Sequence, residues 1–242
     1  MPDHRRHRGP HPEDVRLFAP AAHATLRAAV ADLSWLLSRG YADPSALKLV
    51  GDRYGLDARQ RSAVARSACT DERRDARAAK LLQPHAVAGR AVMIDGYNVL
   101  TTVEAALGGA VVLLARDGAV RDIASLHGTW RSVEETVPAA EFVGRTLADL
   151  GVSRAAWYLD SPVSNSGRLA AILRAVAGRN GWDWTVDLVQ NPDTVLSAAR
   201  GEAVATADSI ILDRCDAWLN LAGEVVARHA PGANVVDLRD AT

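Results

Sequence analysis

From Ala91 onward the chain alternates short apolar runs with stretches of helical period, and this alternation constrains its fold more tightly than any other feature. The runs are "AVMID", "AAWYLD", "WDWTVDLV", "GEAVAT" and "ANVVDL". Helical patterns occupy residues 134–150, 168–178 and most of "SIILDRCDAWLNLAGEVVARH". Strands joined through helices require crossover connections, so the expectation is an α/β fold with a mostly parallel sheet flanked by helices on both faces. "GAVVLLARDGAVRDIAS" reads as two strands closed by an Asp-Gly turn at 117–118. Asp117 and Asp122 are then expected to be turn and surface residues.

Before Ala91 the period is helical throughout. Leu26, Val30, Leu33, Leu36 and Leu37 form one stripe that ends at Gly40. "ADPSALKLVGDRYGLDARQRSAVARSAC" gives two short helices broken at Gly55, with Asp57 as N-cap of the second. Arg59, Gln60, Arg61 and Arg66 on that second helix invite a helix-turn-helix reading. However, Arg61 falls where the motif wants an apolar residue, and a small bundle with a solvated basic face is the alternative. The expected organisation is a disordered basic tail (1–14), a small helical domain (15–85) and an α/β domain (90–242), with residues 84–89 as linker.

The polar, basic N-terminus has no apolar segment behind it, and no run approaches the roughly 20 apolar residues of a membrane helix. A cytoplasmic protein with no membrane partner is expected, its self-association as a homo-oligomer left open. Cys69 and Cys215 stand far apart and suggest neither disulfide framework nor zinc site. The net charge of −1 conceals an asymmetry. Residues 1–90 carry 16 Lys and Arg against 10 Asp and Glu, whereas residues 91–242 carry 12 against 19. Arginine suits phosphate, but the bias is equally explained by composition, or by packing of one half against the other.

Three apolar runs end on, or just before, an aspartate: Asp95 after "VMI", Asp160 after "AWYL" and Asp208 after "AVATA". Ligands of open parallel sheets bind beyond the carboxyl ends of the strands. Carboxylates crowded there raise one another's pKa, and a hard cation such as Mg²⁺ or Mn²⁺ relieves the repulsion. Each also has a plainer role: Asp208 as helix cap, Asp160 as turn-former. Asp213 is a weaker candidate. "SPVSNSGRL" sets Ser164, Asn165, Ser166 and Arg168 at a helix start, where they could bind phosphate or simply cap the helix. His127 and Arg131 in "LHGTWR" are candidate substrate contacts. Trp130, Trp157, Trp182, Trp184 and Trp218 either stack bases or pack the core.

"VMIDGYNVL", "WYLDSP" and "TADSIIL" resemble the three signature regions of the PIN-like nucleases, particularly the NYN branch. The resemblance implies a Rossmann-like sheet with Asp95, Asp160 and Asp208 as acidic metal ligands. It also implies Asn98 as the amide of the D-G-Y-N turn and Asp213 as the fourth acid. The N-terminal part, in "LSWLLSRGYADPSALKLVGDRYGL", resembles domain-of-unknown-function family 434. The C-terminal part, in "IDGYNVLTTVEAAL", "RDIASLHGTW" and "YLDSPVSNSGRL", resembles the companion domain numbered 5616. The likeness to families 434 and 5616 brings no activity with it; the PIN-like likeness implies a Mg²⁺- or Mn²⁺-dependent ribonuclease, to which the arginine-rich helices would bring RNA. The rival expectations are a non-catalytic RNA-binding adaptor with a vestigial acidic pocket, and a phosphohydrolase acting on a small phosphorylated metabolite.

Overall fold

The structure, a computed structural model, describes residues 8–123 and 130–240. Five helices come first: α1 (Asp14–Leu17), α2 (Pro20–Leu37), α3 (Asp43–Arg53), α4 (Ala58–Ser67) and α5 (Asp71–Lys80). The chain continues through β1 (Ala91–Asp95), α6 (Gly96–Leu107), β2 (Val112–Leu114), β3 (Val120–Asp122) and α7 (Thr136–Asp149). Next come β4 (Arg154–Asp160), α8 (Ser166–Asn180), β5 (Trp184–Val189), α9 (Pro192–Ser197) and β6 (Ala203–Ala205). The last elements are α10 (Ser209–Arg214), β7 (Trp218–Leu219), α11 (Leu221–His229) and β8 (Val235–Asp237).

Five strands form a parallel sheet in the order β5-β4-β1-β6-β7. β1 is central, with Asp95 in register with Tyr158 and Ile94 with both Trp157 and Ala205. The chain builds outward from β1 through β4 to β5, then crosses back to β6. The switch in winding direction therefore falls between β1 and β6, where such sheets open a crevice. The second sheet is β3-β2-β8; its β2–β3 hairpin closes through Asp117 and Gly118, the latter at φ +83°.

The stripe expected on α2 is its buried face: Leu26, Ala29, Val30 and Leu33 have almost no exposure. Asp57 stands at the N-cap of α4, where its backbone N–H donates to Gln60 Oε1 at 3.1 Å. The helices do not enclose a core of their own. Leu17, Phe18, Leu26 and Val64 share one apolar cluster with Val111, Leu113, Ile123, Val236 and Leu238, so the helical part roofs the second sheet. The linker is packed as well, with Val87 buried in the main core. Of the expected tail, residues 1–7 lie outside the described residues. Residues 8–14 are held in place: Arg8 Nε donates to buried Glu104 at 2.6 Å, and Asp14 lies under Arg59.

Three elements depart from expectation. α6 starts immediately at Gly96, where a turn was expected; a Cβ there would overlap Leu159 and approach the Tyr158 carbonyl to 3.0 Å. β7 interrupts a stretch expected to be mostly helical, because Trp218 is fully buried and its carbonyl accepts from Leu82 N–H at 2.8 Å. α9 follows β5 directly and was not anticipated.

Asp117, expected at the surface, is the centre of a buried ion cluster. Arg121 grips it bidentately, Nη1 and Nη2 each at 2.7 Å, and Arg77 Nη1 donates to it at 2.7 Å. Arg77 is only 2% exposed and also holds Asp213. Burial alone would raise the Asp117 pKa, but Arg121 and Arg77 outweigh it and hold the carboxyl down to about 2. Removing one partner of a buried ion pair typically costs about 3–5 kcal/mol. Asp117→Asn should therefore destabilise the chain by about that amount at neutral pH. A depressed folded pKa contributes stability above the unfolded value of roughly 3.9. The deficit, read from denaturant melts, should shrink as pH falls through that value toward about 2.

Candidate functional site

At the carboxyl edge of the parallel sheet the structure opens a cleft of about 310 Å³. Four neighbouring strands each bring an aspartate to it: Asp95 ends β1, Asp160 ends β4, Asp193 follows β5 and Asp208 follows β6. A fifth, Asp122, enters from β3 of the second sheet, and Arg66 enters from α4. Tyr97, Asn98 and Thr101, on the first turns of α6, line the same cleft.

Two short sequence motifs latch the floor together. Thr206 Oγ1 donates to Asp95 Oδ2 at 2.8 Å and accepts from the Asp208 N–H at 3.0 Å. Asn98 Oδ1 accepts from the Ala207 N–H at 2.8 Å. The amide of "DGYN" thus fixes the backbone of "TAD", and the Thr206 hydroxyl bridges the two aspartates. Asp208 also caps α10, its Oδ1 accepting from the N–H groups of Ile210 at 2.8 Å and Ile211 at 3.3 Å. Its capping role and its place in the cleft coexist.

The carboxylates repel one another. Asp95 keeps some exposure, yet its pKa is pushed up to about 7. Burial is the largest cause; the Thr206 hydrogen bond opposes it, and the charges of Asp208 and Asp193 add to it. Asp193 is shifted upward by burial and by Asp208 and Asp160, and Asp160 by burial. Asp160 Oδ1 is buried without a hydrogen-bond partner among the described residues. Asp122 is shifted upward by burial too, but among the described residues it alone of the five has a cation beside it, Arg66 Nη2 donating to it at 3.2 Å and opposing that shift.

The set of donors is all oxygen, crowded and partly orphaned, which is the chemistry a hard divalent cation satisfies. As the side chains stand, no group of three or more His, Cys, Asp or Glu among the described residues is arranged to hold a metal ion.

Asp95, Asp160, Asp208 and Asn98 are therefore brought together at one cleft. Asp213 is not: it faces α5, 2.7 Å from Arg77 and 3.4 Å from Arg73. The serine-rich loop does not line the cleft either, apart from Val163. The Ser164 carbonyl accepts from Trp130 N–H, Asn165 Nδ2 donates to the Trp130 carbonyl, and Ser166 is buried at the start of α8. Backbone N–H groups of Ser166 and Arg168 are taken by Val163 and Asn165 carbonyls, so this segment works as an internal clasp. His127 lies outside the described residues. Trp130, Trp157 and Trp218 are core, and Trp182 and Trp184 stack on each other at 5.1 Å.

Asp193, Tyr97, Asp122 and Thr206 were not among the expected site residues. Asp193 had a readable signal, since "QNPD" follows an apolar run as the other three aspartates do. Asp122 had none, because its burial depends on Arg66, 56 residues away.

Among the described residues no helix is long and apolar enough to cross a membrane. A family model described as Protein of unknown function (DUF434) matches residues 25–80, and one described as Domain of unknown function (DUF5616) matches residues 84–224. No solved structure matches the chain. An uncharacterized protein of Methanocaldococcus jannaschii is 31% identical over 181 residues, covering 75% of this chain and 86% of that protein. The second family match spans more than half of the chain and contains all four strand-end aspartates, so the protein belongs to the family described as Domain of unknown function (DUF5616), preceded by a DUF434 region.

Proposed function

We propose that this protein is a divalent-metal-dependent ribonuclease whose α/β part is of the PIN-like, NYN-like type. What carries the reading is the convergence of Asp95, Asp160, Asp193 and Asp208 from four adjacent parallel strands on one cleft. Asp95, Asp160 and Asp208 would hold Mg²⁺ or Mn²⁺. Such an ion, when bound, supplies Lewis acidity toward a phosphodiester and the attacking water. The chain's own part is preorganisation. Thr206 and Asn98 tie Asp95 to the backbone of Asp208, and the carboxylates would turn onto the ion from that frame. No histidine or serine nucleophile is required by this chemistry.

The reading fixes a sign for the behaviour of Asp95. Its folded pKa of about 7 lies above the unfolded value of roughly 3.9, so the folded state favours the protonated carboxyl. Metal-free wild type should lose stability as pH rises between those two values, and Asp95→Asn should lose less, the remainder coming from Asp160 and Asp193, which are also shifted upward. In EDTA the variant should melt at or above wild type at pH 8, the gap closing toward pH 4. Differential scanning calorimetry across that range checks it.

With Mn²⁺ the order should reverse, because a ligand that binds only the folded state stabilises by mass action. The Mn²⁺ shift in melting temperature should be larger at pH 8 than at pH 6, since the ion must displace the Asp95 proton. It should largely vanish in Asp95→Asn. Cleavage of a short single-stranded RNA should require the metal and fall in Asp95→Asn by more than the roughly 10–100-fold typical of a residue that only supports a ligand. Equal Mn²⁺ stabilisation of both proteins, with no cleavage by either, would discard the nuclease.

A further inference from the structure

A polyanion must enter a cleft lined by five carboxylates, and among the described residues lining it there is one cation, Arg66. That arginine comes from α4, in the helical part of the chain. It engages Asp122 through Nη2 alone, while its Nε lies buried without a hydrogen-bond partner among the described residues. Tyr97, on the first turn of α6, supplies a second such donor. The residue is 9% exposed, it lines the same cleft, and its buried hydroxyl is also without a partner.

Buried polar groups are overwhelmingly paired, and an orphaned donor is costly. Two orphaned donors in the lining of one cleft indicate a ligand that accepts. The carboxylates there are acceptors when ionised and would repel an anion, so these donors are the part of the cleft suited to one. A guanidinium N–H and a phenolic O–H in one cleft suit the oxygens of a phosphate, which arginine recognises through its planar fork. Resting on the nuclease reading of the same cleft, we propose that Arg66 and Tyr97 bind a non-bridging phosphate oxygen of the RNA strand, α4 thereby supplying the anion-binding wall of the site. Asp122 is then the internal anion that holds Arg66 in position before substrate arrives.

This assignment gives the helical part a role different from a remote basic recruiting face. Arg59 is bound to Asp14 at 2.5 Å, and Arg61 to Asp52 at 2.8 Å and to the Leu56 carbonyl at 2.9 Å. Arg66 is the arginine of this helix that reaches the cleft.

The test measures binding of a fluorescently labelled single-stranded oligoribonucleotide to the full chain, by anisotropy, in EDTA and separately in Ca²⁺, across a salt series. Replacing both members of the ion pair (Arg66→Gln with Asp122→Asn) leaves no buried charge unpaired. It should weaken binding about tenfold and lower the salt slope by about one phosphate contact. Asp122→Asn alone should weaken binding less than the double variant, because the guanidinium loses its positioning anion but is still present to meet the phosphate. Tyr97→Phe should weaken binding several-fold at an unchanged salt slope. It should melt no lower than wild type, since the hydroxyl it loses has no internal partner.

Wild-type affinity and slope in both the double variant and Tyr97→Phe would overturn the proposal, as would wild type binding no RNA in either buffer. Displacement of the RNA by an equal concentration of inorganic phosphate would overturn the polynucleotide assignment in favour of a small phosphate ester. The metal reading is scored apart, by the Mn²⁺ melting shift. If that shift is absent while the two variants still lose RNA, the nuclease falls and the phosphate contact stands.

Discussion

Aspartates of the α/β part hold the arginines of the helical part, and most of the architecture depends on that pairing. Arg77 meets Asp117 and Asp213, Arg73 meets Asp213, Arg74 meets Asp240 and Arg66 meets Asp122. The excess of cations before residue 91 and of anions after it is therefore satisfied largely within the molecule. Apolar packing acts along the same boundary, where the helices cover one face of the second sheet. Neither part is closed without the other: the sheet would expose Val111, Leu113 and Val236, and Asp117 would lose a cation while buried. The same docking sets α4 beside the strand ends, and so decides which arginine can reach the cleft.

Within the cleft, local sequence does more than deliver charges. Asp95 and Asp208 belong to strands adjacent in the sheet but more than a hundred residues apart in the chain. Thr206 and Asn98 convert that adjacency into fixed geometry by bonding across the gap. Gly96 lets α6 begin flush against β4, which brings Tyr97 and Asn98 to the cleft directly after the strand. A side chain at that position would push the helix away and carry both residues with it.

Much of this was legible in the residues and some was not, for identifiable reasons. The strands at 91–95, 154–160 and 184–189 announced themselves by apolar runs, and the hairpin by its Asp-Gly turn, because these signals are local. Strand-end position located Asp95, Asp160 and Asp208, since parallel sheets present that edge whatever the loops do. α9 and β7 escaped, being six and two residues long, too short for a period to register. Asp117 was misread because an Asp-Gly turn normally faces solvent; its burial depends on Arg77, 40 residues earlier. The serine-rich loop misled in the opposite direction. Its polar residues and free-looking backbone suggest a ligand cradle, whereas Asn165 is bonded to Trp130, Ser166 Oγ to the Ser161 carbonyl, and the Ser166 and Arg168 N–H groups to carbonyls of the same segment.

Pairing is distributed unevenly, and the unevenness bears on what the cleft is for. A fold with this many arginines can neutralise a buried carboxylate where neutrality is all that is needed, as at Asp117, held at about 2. At the cleft only Asp122 has an ion-pair partner, and burial still outweighs it; among the described residues Asp95, Asp160, Asp193 and Asp208 have none. Asp95 is consequently driven to about 7, a state that favours a proton over a charge and costs stability at neutral pH. Unpaired carboxylates are thus gathered at one edge of a molecule that elsewhere matches its charges, which is what the proposed cation site would require.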